Sequence, residues 1–279
     1  MTQHIKMIGL DLDGTLLNSK KELLPYTKKV LAQAISKGIV VLVATGRPLT
    51  GIPDELRWFP GIRYALTSNG ARVLDTLEDK VLIEHLLPLG KAKKALEIFR
   101  KYDTLQEVYF DGQGYADEDK MKQIDKYHHD PNMREYALTT RKSVPDIMKL
   151  ADSETRDADK VQALFADMEE RSIAWKEFED LGGYTLVNSL GYNIEINDAG
   201  VNKGTGLVAL GRLLGIRREE ILACGDSDND IDMVRDAGIG VAMGNSDVRV
   251  KEAADYITDT NENEGAAKAI EKFALKGGE

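Results

Sequence analysis

Cysteine and long apolar stretches are scarce in this sequence of 279 residues. The single cysteine, Cys224, excludes a disulfide within the chain, and its apolar neighbours favour a buried structural thiol. The longest apolar run, Ile39–Ala44, is far shorter than the roughly 20 residues that span a bilayer. The polar segment Met1–Lys6 lacks the apolar region of a secretory signal. We therefore expect a cytoplasmic protein with no membrane partner.

Positive charge is also in short supply. Lys and Arg number 37 against 47 Asp and Glu, which gives a net charge of −10. Nucleic-acid binding requires clustered Lys and Arg facing the phosphates, so the composition argues against a nucleic-acid partner. An anionic ligand could bind only where cations are concentrated locally.

Short apolar runs alternate with helical periodicity at both ends of the chain. The early strands are predicted at Ile5–Leu12, Ile39–Thr45 and Tyr64–Ser68, and the same alternation returns from Lys203 onward. This order is typical of parallel strands joined by helices. The sequence therefore predicts an α/β fold, a Rossmann-like doubly wound parallel sheet formed by residues 1–86 and 198–279.

The middle of the chain has a different pattern. Arg72–Asp75 and Val81–His85 could pair as a hairpin that leaves the sheet. The polar stretch Asp117–His129 indicates a surface helix, on which His128 and His129 would be solvated. Strands come in adjacent pairs, so residues 87–197 are predicted to form an inserted α+β domain that acts as a lid and selects the substrate.

Acidic residues follow two of the predicted strands. Asp11 and Asp13 come directly after the first strand, and Asp226 and Asp230 follow a strand near the end of the chain. Ligands of open α/β sheets bind beyond the carboxyl ends of the strands, and residues two apart on a strand point the same way. A lone Asp is best interpreted as a solvated loop residue or helix cap. Two such clusters instead indicate a cation site, and oxygen ligands favour Mg²⁺.

Several residues near the same strand ends could hold an oxyanion. Hydroxyl, amide and backbone donors and positive charges are offered by Thr45, Gly46, Asn229, Lys203 and Arg47. Lys203 alone could equally be a solvated residue at a helix start. Its position at the return from the inserted domain favours a binding role.

Four segments in this order resemble the motifs of the haloacid dehalogenase-like hydrolases. They are Asp11-Leu12-Asp13-Gly14-Thr15-Leu16, Thr45-Gly46-Arg47, Asn202-Lys203-Gly204 and Gly225-Asp226-Ser227-Asp228-Asn229-Asp230. The segment Ser68-Asn69-Gly70-Ala71 and the position of the insertion are similar to Cof-type phosphatases with a type-II (IIB) cap. The resemblance covers almost the whole chain.

The resemblance implies a role for each matching position. Asp11 would be the nucleophile that forms an aspartyl-phosphate, and Asp13 the general acid and then the general base. Mg²⁺ would be held by Asp11, the backbone carbonyl of Asp13 and Asp226, with Asp230 in support. The phosphoryl group would be held by Leu12, Thr45, Gly46, Lys203 and Asn229, with Arg47 as an added cation; the role of Asp228 stays open.

Three functions fit these residues. The first is a Mg²⁺-dependent phosphatase that acts on small phosphomonoesters such as sugar phosphates, as a monomer or small homo-oligomer. The second is a hexose-phosphate phosphomutase, because related mutases share the first motif and a similar cap. The third is a non-catalytic sensor of a phosphorylated metabolite, although a pure binding protein gains nothing from Asp13.

Overall fold

The structure, a computed structural model, describes residues 4–276 and divides into two compact units. The first unit contains residues up to 46, 52–84 and 202 onward, and the second contains residues 47–51 and 85–201. The strands are β1 (Met7–Leu10), β2 (Val40–Ala44), β3 (Tyr64–Thr67), β4 (Arg72–Asp75), β5 (Lys80–Glu84), β6 (Thr104–Phe110), β7 (Gln113–Asp117), β8 (Arg141–Val144), β9 (Lys160–Phe165), β10 (Tyr184–Val187), β11 (Asn193–Asp198), β12 (Ile221–Gly225), β13 (Ile239–Ala242) and β14 (Tyr256–Ile257).

Eleven α-helices lie between or after these strands in the described residues 4–276. They are α1 (Pro25–Ser36), α2 (Asp54–Arg57), α3 (Leu89–Phe99), α4 (Glu118–Met121), α5 (Pro131–Thr140), α6 (Ile147–Ser153), α7 (Met168–Leu181), α8 (Lys203–Leu213), α9 (Ile231–Asp236), α10 (Val248–Ala253) and α11 (Gly265–Ile270). Pro25 occupies the first turn of α1, where its missing N–H costs no hydrogen bond. The last of them continues as a π-helical segment, Glu271–Leu275.

The first unit is built on an eight-stranded sheet in the order β14-β13-β12-β1-β2-β3-β4-β5. The six strands from β14 to β3 are parallel, and β1 lies between β12 and β2. All four residues of β1 are buried, as expected of a central parallel strand covered on both faces. The parallel core of the predicted α/β class is confirmed.

The prediction that the hairpin β4–β5 leaves the sheet is wrong. β4 pairs antiparallel with β3, with Tyr64 opposite Asp75, so the hairpin extends the edge of the same sheet. Three consecutive residues after β3 have positive φ angles, namely Ser68, Asn69 and Gly70. This tight reversal returns the chain alongside β3.

The second unit contains a six-stranded sheet in the order β10-β11-β9-β6-β7-β8, in which only β7 and β8 pair in parallel. The strand β9 pairs antiparallel with both β6 and β11. One face packs apolar side chains such as Val108, Val161 and Ile194 against the helices. The inserted α+β module of the predicted fold class is confirmed.

The prediction of one solvated helix over Asp117–His129 is wrong, although His129 is exposed as predicted. The segment forms the short α4 and a 3₁₀ turn, and Met121, Ile124 and Tyr127 are buried in one apolar cluster. His128 is only 1% exposed, and its Nδ1 lies 3.2 Å from the hydroxyl of Tyr192. The buried residues recur every third position, but they are few and the residues between them are polar, so the sequence gives only a weak sign of this burial.

The prediction of a buried structural thiol is confirmed. Cys224 is fully buried, and burial raises the pKa of its thiol to about 12. Between residues 4 and 276, no helix has the length and apolar character needed to cross a membrane.

Candidate active site

Three neighbouring parallel strands end side by side in the first unit. Leu10 of β1 is in register with Cys224 of β12 and with Val43 of β2. The residues that follow these strand ends therefore lie at one edge of the sheet. This register brings Asp11, Thr45 and Asp226 to the same edge from distant parts of the chain.

Lys203 lies between two of the acids. Its Nζ atom is 2.6 Å from Oδ1 of Asp11 and 2.7 Å from Oδ1 of Asp230, and the lysine is fully buried. Asn202 caps α8 by accepting a hydrogen bond from the N–H of Thr205, which fixes Lys203 as the first residue of that helix. Burial alone would lower the pKa of the Lys203 ammonium, but the carboxylates of Asp11 and Asp230 outweigh it and raise that pKa. The lysine is therefore held in its charged form.

Three carboxylates form a compact acidic cluster. Asp11, Asp226 and Asp230 each offer an oxygen, and these oxygens all lie within 4.8 Å of one another. Burial and the charge of Asp230 raise the pKa of Asp11 well above its usual range. The same two causes raise the pKa of Asp226 to about 7. A divalent cation would relieve this repulsion, and an all-oxygen donor set suits Mg²⁺.

Asp230 already uses both of its oxygens within the protein. Oδ1 accepts from Lys203, and Oδ2 accepts from the backbone N–H groups of Asp226 and Ser227, each at 3.0 Å. Asp226 accepts from the hydroxyls of Thr15 at 2.8 Å and Ser227 at 3.1 Å. Asp230 thus shapes the loop and holds Lys203. Both oxygens of Asp226 also accept hydrogen bonds, but only from hydroxyls, so its charge is not offset as that of Asp230 is by Lys203.

The carboxylate of Asp13 is not part of this three-acid cluster. Its Oδ1 is 2.7 Å from Nζ of Lys21, and both side chains are about one-third exposed. Gly14 follows with a φ of +85°, and a Cβ there would lie 2.3 Å from Oδ2 of Asp226. The turn after Asp13 therefore needs glycine, both for its backbone and for its contact with the fourth motif.

The candidate phosphate ligands are tied to one another through Asn69. The carbonyl of Thr45 accepts from the N–H of Asn69 at 3.1 Å, and Asn229 donates from Nδ2 to Oδ1 of Asn69 at 3.1 Å. Thr45 and Asn229 are both buried. Leu12 is buried as well, and its carbonyl accepts from the N–H of Leu17 at 2.9 Å.

The remaining predicted residues are placed differently. Gly46 is the last residue of its segment in the first unit, whereas Arg47 belongs to the second unit. The Arg47 guanidinium lies 4.4 Å from the centre of the Tyr136 ring and donates to the carbonyl of Gly51 at 2.8 Å. Asp228 lies 3.3 Å from Nη1 of Arg249.

Sequence reasoning missed the supporting residues Thr15, Lys21 and Ser227. Thr15 and Ser227 lie inside the recognised motifs, so their positions were visible but their contacts with Asp226 were not. Lys21 follows Asp13 by eight positions in a polar loop, and no spacing rule indicates that it meets that carboxylate.

Comparisons with known proteins agree along nearly the whole chain. Residues 8–270 match the family model described as haloacid dehalogenase-like hydrolase. A Bacillus subtilis (strain 168) protein named 5-amino-6-(5-phospho-D-ribitylamino)uracil phosphatase is 31% identical over 276 residues, which cover 97% of this chain and 96% of that protein.

Solved structures match to a similar extent. A haloacid dehalogenase-like hydrolase from B. subtilis is 28% identical with a TM-score of 0.85, covering 96% of this chain and 99% of that one. A haloacid dehalogenase-like hydrolase from Bacteroides thetaiotaomicron is 31% identical with a TM-score of 0.76, covering 96% and 98%.

Proposed function

We propose that this chain, which belongs to the haloacid dehalogenase-like hydrolases, is a Mg²⁺-dependent phosphatase. Its substrates are small phosphomonoesters, and the reaction passes through an aspartyl-phosphate at Asp11. Relatives that match nearly its full length are named phosphatases. The observation that carries the proposal is the buried Lys203 ammonium between Asp11 and Asp230, with Asp226 in the same acidic cluster. This arrangement concentrates the local cation that a phosphate ligand requires in a protein of net charge −10.

The cluster fits a divalent cation in charge and in ligand type. We assign Asp11, Asp226 and the backbone carbonyl of Asp13 as the residues that would hold Mg²⁺, with Asp230 in support. When bound, the ion would offset the negative charge of the phosphoryl group, which otherwise repels a carboxylate nucleophile.

The side chains divide the chemistry between them. A carboxylate oxygen of Asp11 attacks phosphorus, the ester P–O bond breaks, and Asp13 gives its proton to the leaving oxygen. Asp13 then takes a proton from water as the water oxygen attacks the aspartyl-phosphate, which releases inorganic phosphate and restores Asp11. Lys203 holds Asp11 for in-line attack, and Thr45, Gly46 and Asn229 with the backbone of Leu12 orient the phosphoryl group.

We also propose a division of labour along the chain. Residues 1–86 and 198–279 form the hydrolase core, and residues 87–197 form the domain that selects the leaving group, with Arg47 contributing to substrate binding. In support, the acidic cluster and Lys203 lie entirely in the first unit. We place the enzyme in the cytoplasm as a monomer or small homo-oligomer.

The test is a turnover assay on a panel of phosphate esters with Mg²⁺ and with EDTA. The panel contains sugar phosphates, 4-nitrophenyl phosphate and the ribityl phosphate for which the Bacillus relative is named. We expect release of inorganic phosphate that stops on chelation and returns with added Mg²⁺. Persistent turnover in excess EDTA would contradict the metal requirement.

The panel also separates the alternatives. A hexose-phosphate phosphomutase would give an isomerised ester and little free phosphate. A non-catalytic sensor would bind an ester, detected by calorimetry, without converting it. A phosphatase leaves one equivalent of phosphate for each ester consumed.

A further inference from the structure

A tightly built loop follows the first motif. Asn18 is buried and its Oδ1 accepts from the N–H groups of Lys20 at 3.0 Å and Glu22 at 2.8 Å. Its backbone N–H donates to the carbonyl of Glu22 at 3.1 Å, and its carbonyl accepts from the N–H of Lys21 at 2.9 Å. The loop conformation is therefore determined by several hydrogen bonds to one asparagine.

Lys21 has an unfavourable backbone conformation within this loop. Its φ is +63°, a value that residues other than glycine rarely adopt. Such a conformation persists only when the surrounding structure imposes it, and the Asn18 contacts do so here. The result is that Nζ of Lys21 reaches Oδ1 of Asp13 at 2.7 Å.

We propose that Lys21 is a positioning residue for Asp13, fixing the orientation of its carboxyl group during proton transfer. The inference rests on the proposed function, in which Asp13 protonates the leaving oxygen and then deprotonates water. An acid–base group is commonly oriented by a third side chain, as in nucleophile–base–orienter arrangements. Lys21 supplies that third member from a rigid loop in the same unit.

The pair has little to contribute to stability. Both side chains are about one-third exposed, and exposed ion pairs stabilise proteins only slightly. A small misplacement of a catalytic group, in contrast, slows a reaction substantially. The strained loop therefore has its main consequence for the placement of the Asp13 carboxyl group.

The test compares Lys21→Met with Lys20→Met, since the neighbouring Lys20 is exposed and lies in the same loop. The measured quantity is kcat/KM for the best alkyl phosphate of the panel and for 4-nitrophenyl phosphate. The alkyl leaving group needs a proton, whereas 4-nitrophenolate leaves as an anion. We expect Lys21→Met to lower kcat/KM about tenfold for the alkyl ester and less than about twofold for the aryl ester.

Lys20→Met is expected to change neither value, and Lys21→Arg, which keeps the charge, to recover most of the alkyl activity. Equal losses on both esters, or a Lys21→Met variant that behaves like Lys20→Met, would overturn the inference while the phosphatase function stands. Failure of the proposed function has a different signature, because the unmodified protein would then release no phosphate from either ester.

Discussion

Both units bury charged side chains, but the first has an excess of negative charge and the second contains matched ion pairs. In the first unit, three carboxylates, Asp11, Asp226 and Asp230, share one buried ammonium, that of Lys203. In the second unit, two buried acids each pair with a buried base. Glu107 lies 2.8 Å from Nε of Arg141, and Lys160 pairs with Glu195, with every side chain less than 5% exposed.

The pKa shifts follow this balance. Burial and Asp230 raise the pKa values of Asp11 and Asp226 in the first unit. Burial would also raise the pKa of Glu107, but the Arg141 guanidinium outweighs it and lowers that pKa. A buried cluster with an excess of one sign indicates a missing counter-charge such as a ligand, whereas a neutral cluster is complete as a structural element.

The largest expected effect comes from Asp11→Asn. Removing the proposed nucleophile should lower kcat by more than about 10⁴-fold, because in the proposed mechanism no other side chain forms the phosphoryl-enzyme bond. The same change removes one of three clustered charges, so the melting temperature in EDTA should stay equal or rise. Normal turnover in this variant would contradict the mechanism, and a large loss of stability in EDTA would contradict the charge imbalance.

Glu107→Gln tests the balanced cluster. The change leaves the buried Arg141 guanidinium without its carboxylate partner and should lower the free energy of unfolding by about 3–5 kcal/mol. The measurement is urea unfolding followed by the fluorescence of Trp175, with Trp58 replaced by phenylalanine so that only the second unit reports. The control is Glu135→Gln on the exposed side of α5, which should stay within about 0.5 kcal/mol of the parent.

The smallest effect concerns pH and His128. Burial lowers the pKa of His128 to about 4, so the unfolded chain binds its proton near the usual value while the folded unit does not. Stability of the second unit should therefore be complete above about pH 6.5 and fall by up to about 3 kcal/mol as the pH drops toward 4. In His128→Gln this part of the pH dependence should disappear, as measured by the same Trp175 unfolding curves.

The first unit should show the opposite trend in EDTA. The raised pKa of Asp226, about 7, means that its ionisation destabilises the folded state. The free energy of unfolding of the metal-free first unit should therefore increase as the pH falls below 7. This is the pH range in which the second unit loses stability. If the stability of both units changed with pH in the same direction, the proposed difference in charge balance between them would be contradicted.

The sequence predicts the first unit well because its signals are local. β1, β2 and β12 are short apolar runs, and each is followed at once by motif residues, so strand order alone brings Asp11 and Asp226 to one sheet edge. Lys203 was predicted from its position in the chain. Its two carboxylate partners were not predictable, because they depend on how α8 packs against the sheet.

The second unit is harder to predict because its strands have polar residues on a buried face. In β6 and β9, residues such as Glu107 and Gln162 alternate with apolar ones, which is typical of a strand with one solvated side. The structure instead buries that face, and Gln162 donates to Glu107 at 2.9 Å. Alternation reports the side on which a residue lies, not whether another layer covers it.

The central place of β1 has a consequence during synthesis. Its neighbour β12 lies on the far side of the insertion, and Thr15 meets Asp226 across 211 positions. All six strands of the second sheet, residues 104–198, leave the ribosome before β12 does. The smaller sheet can therefore close while β1 still presents an unpaired edge, and the acidic cluster cannot assemble before Asp226 and Asp230 emerge.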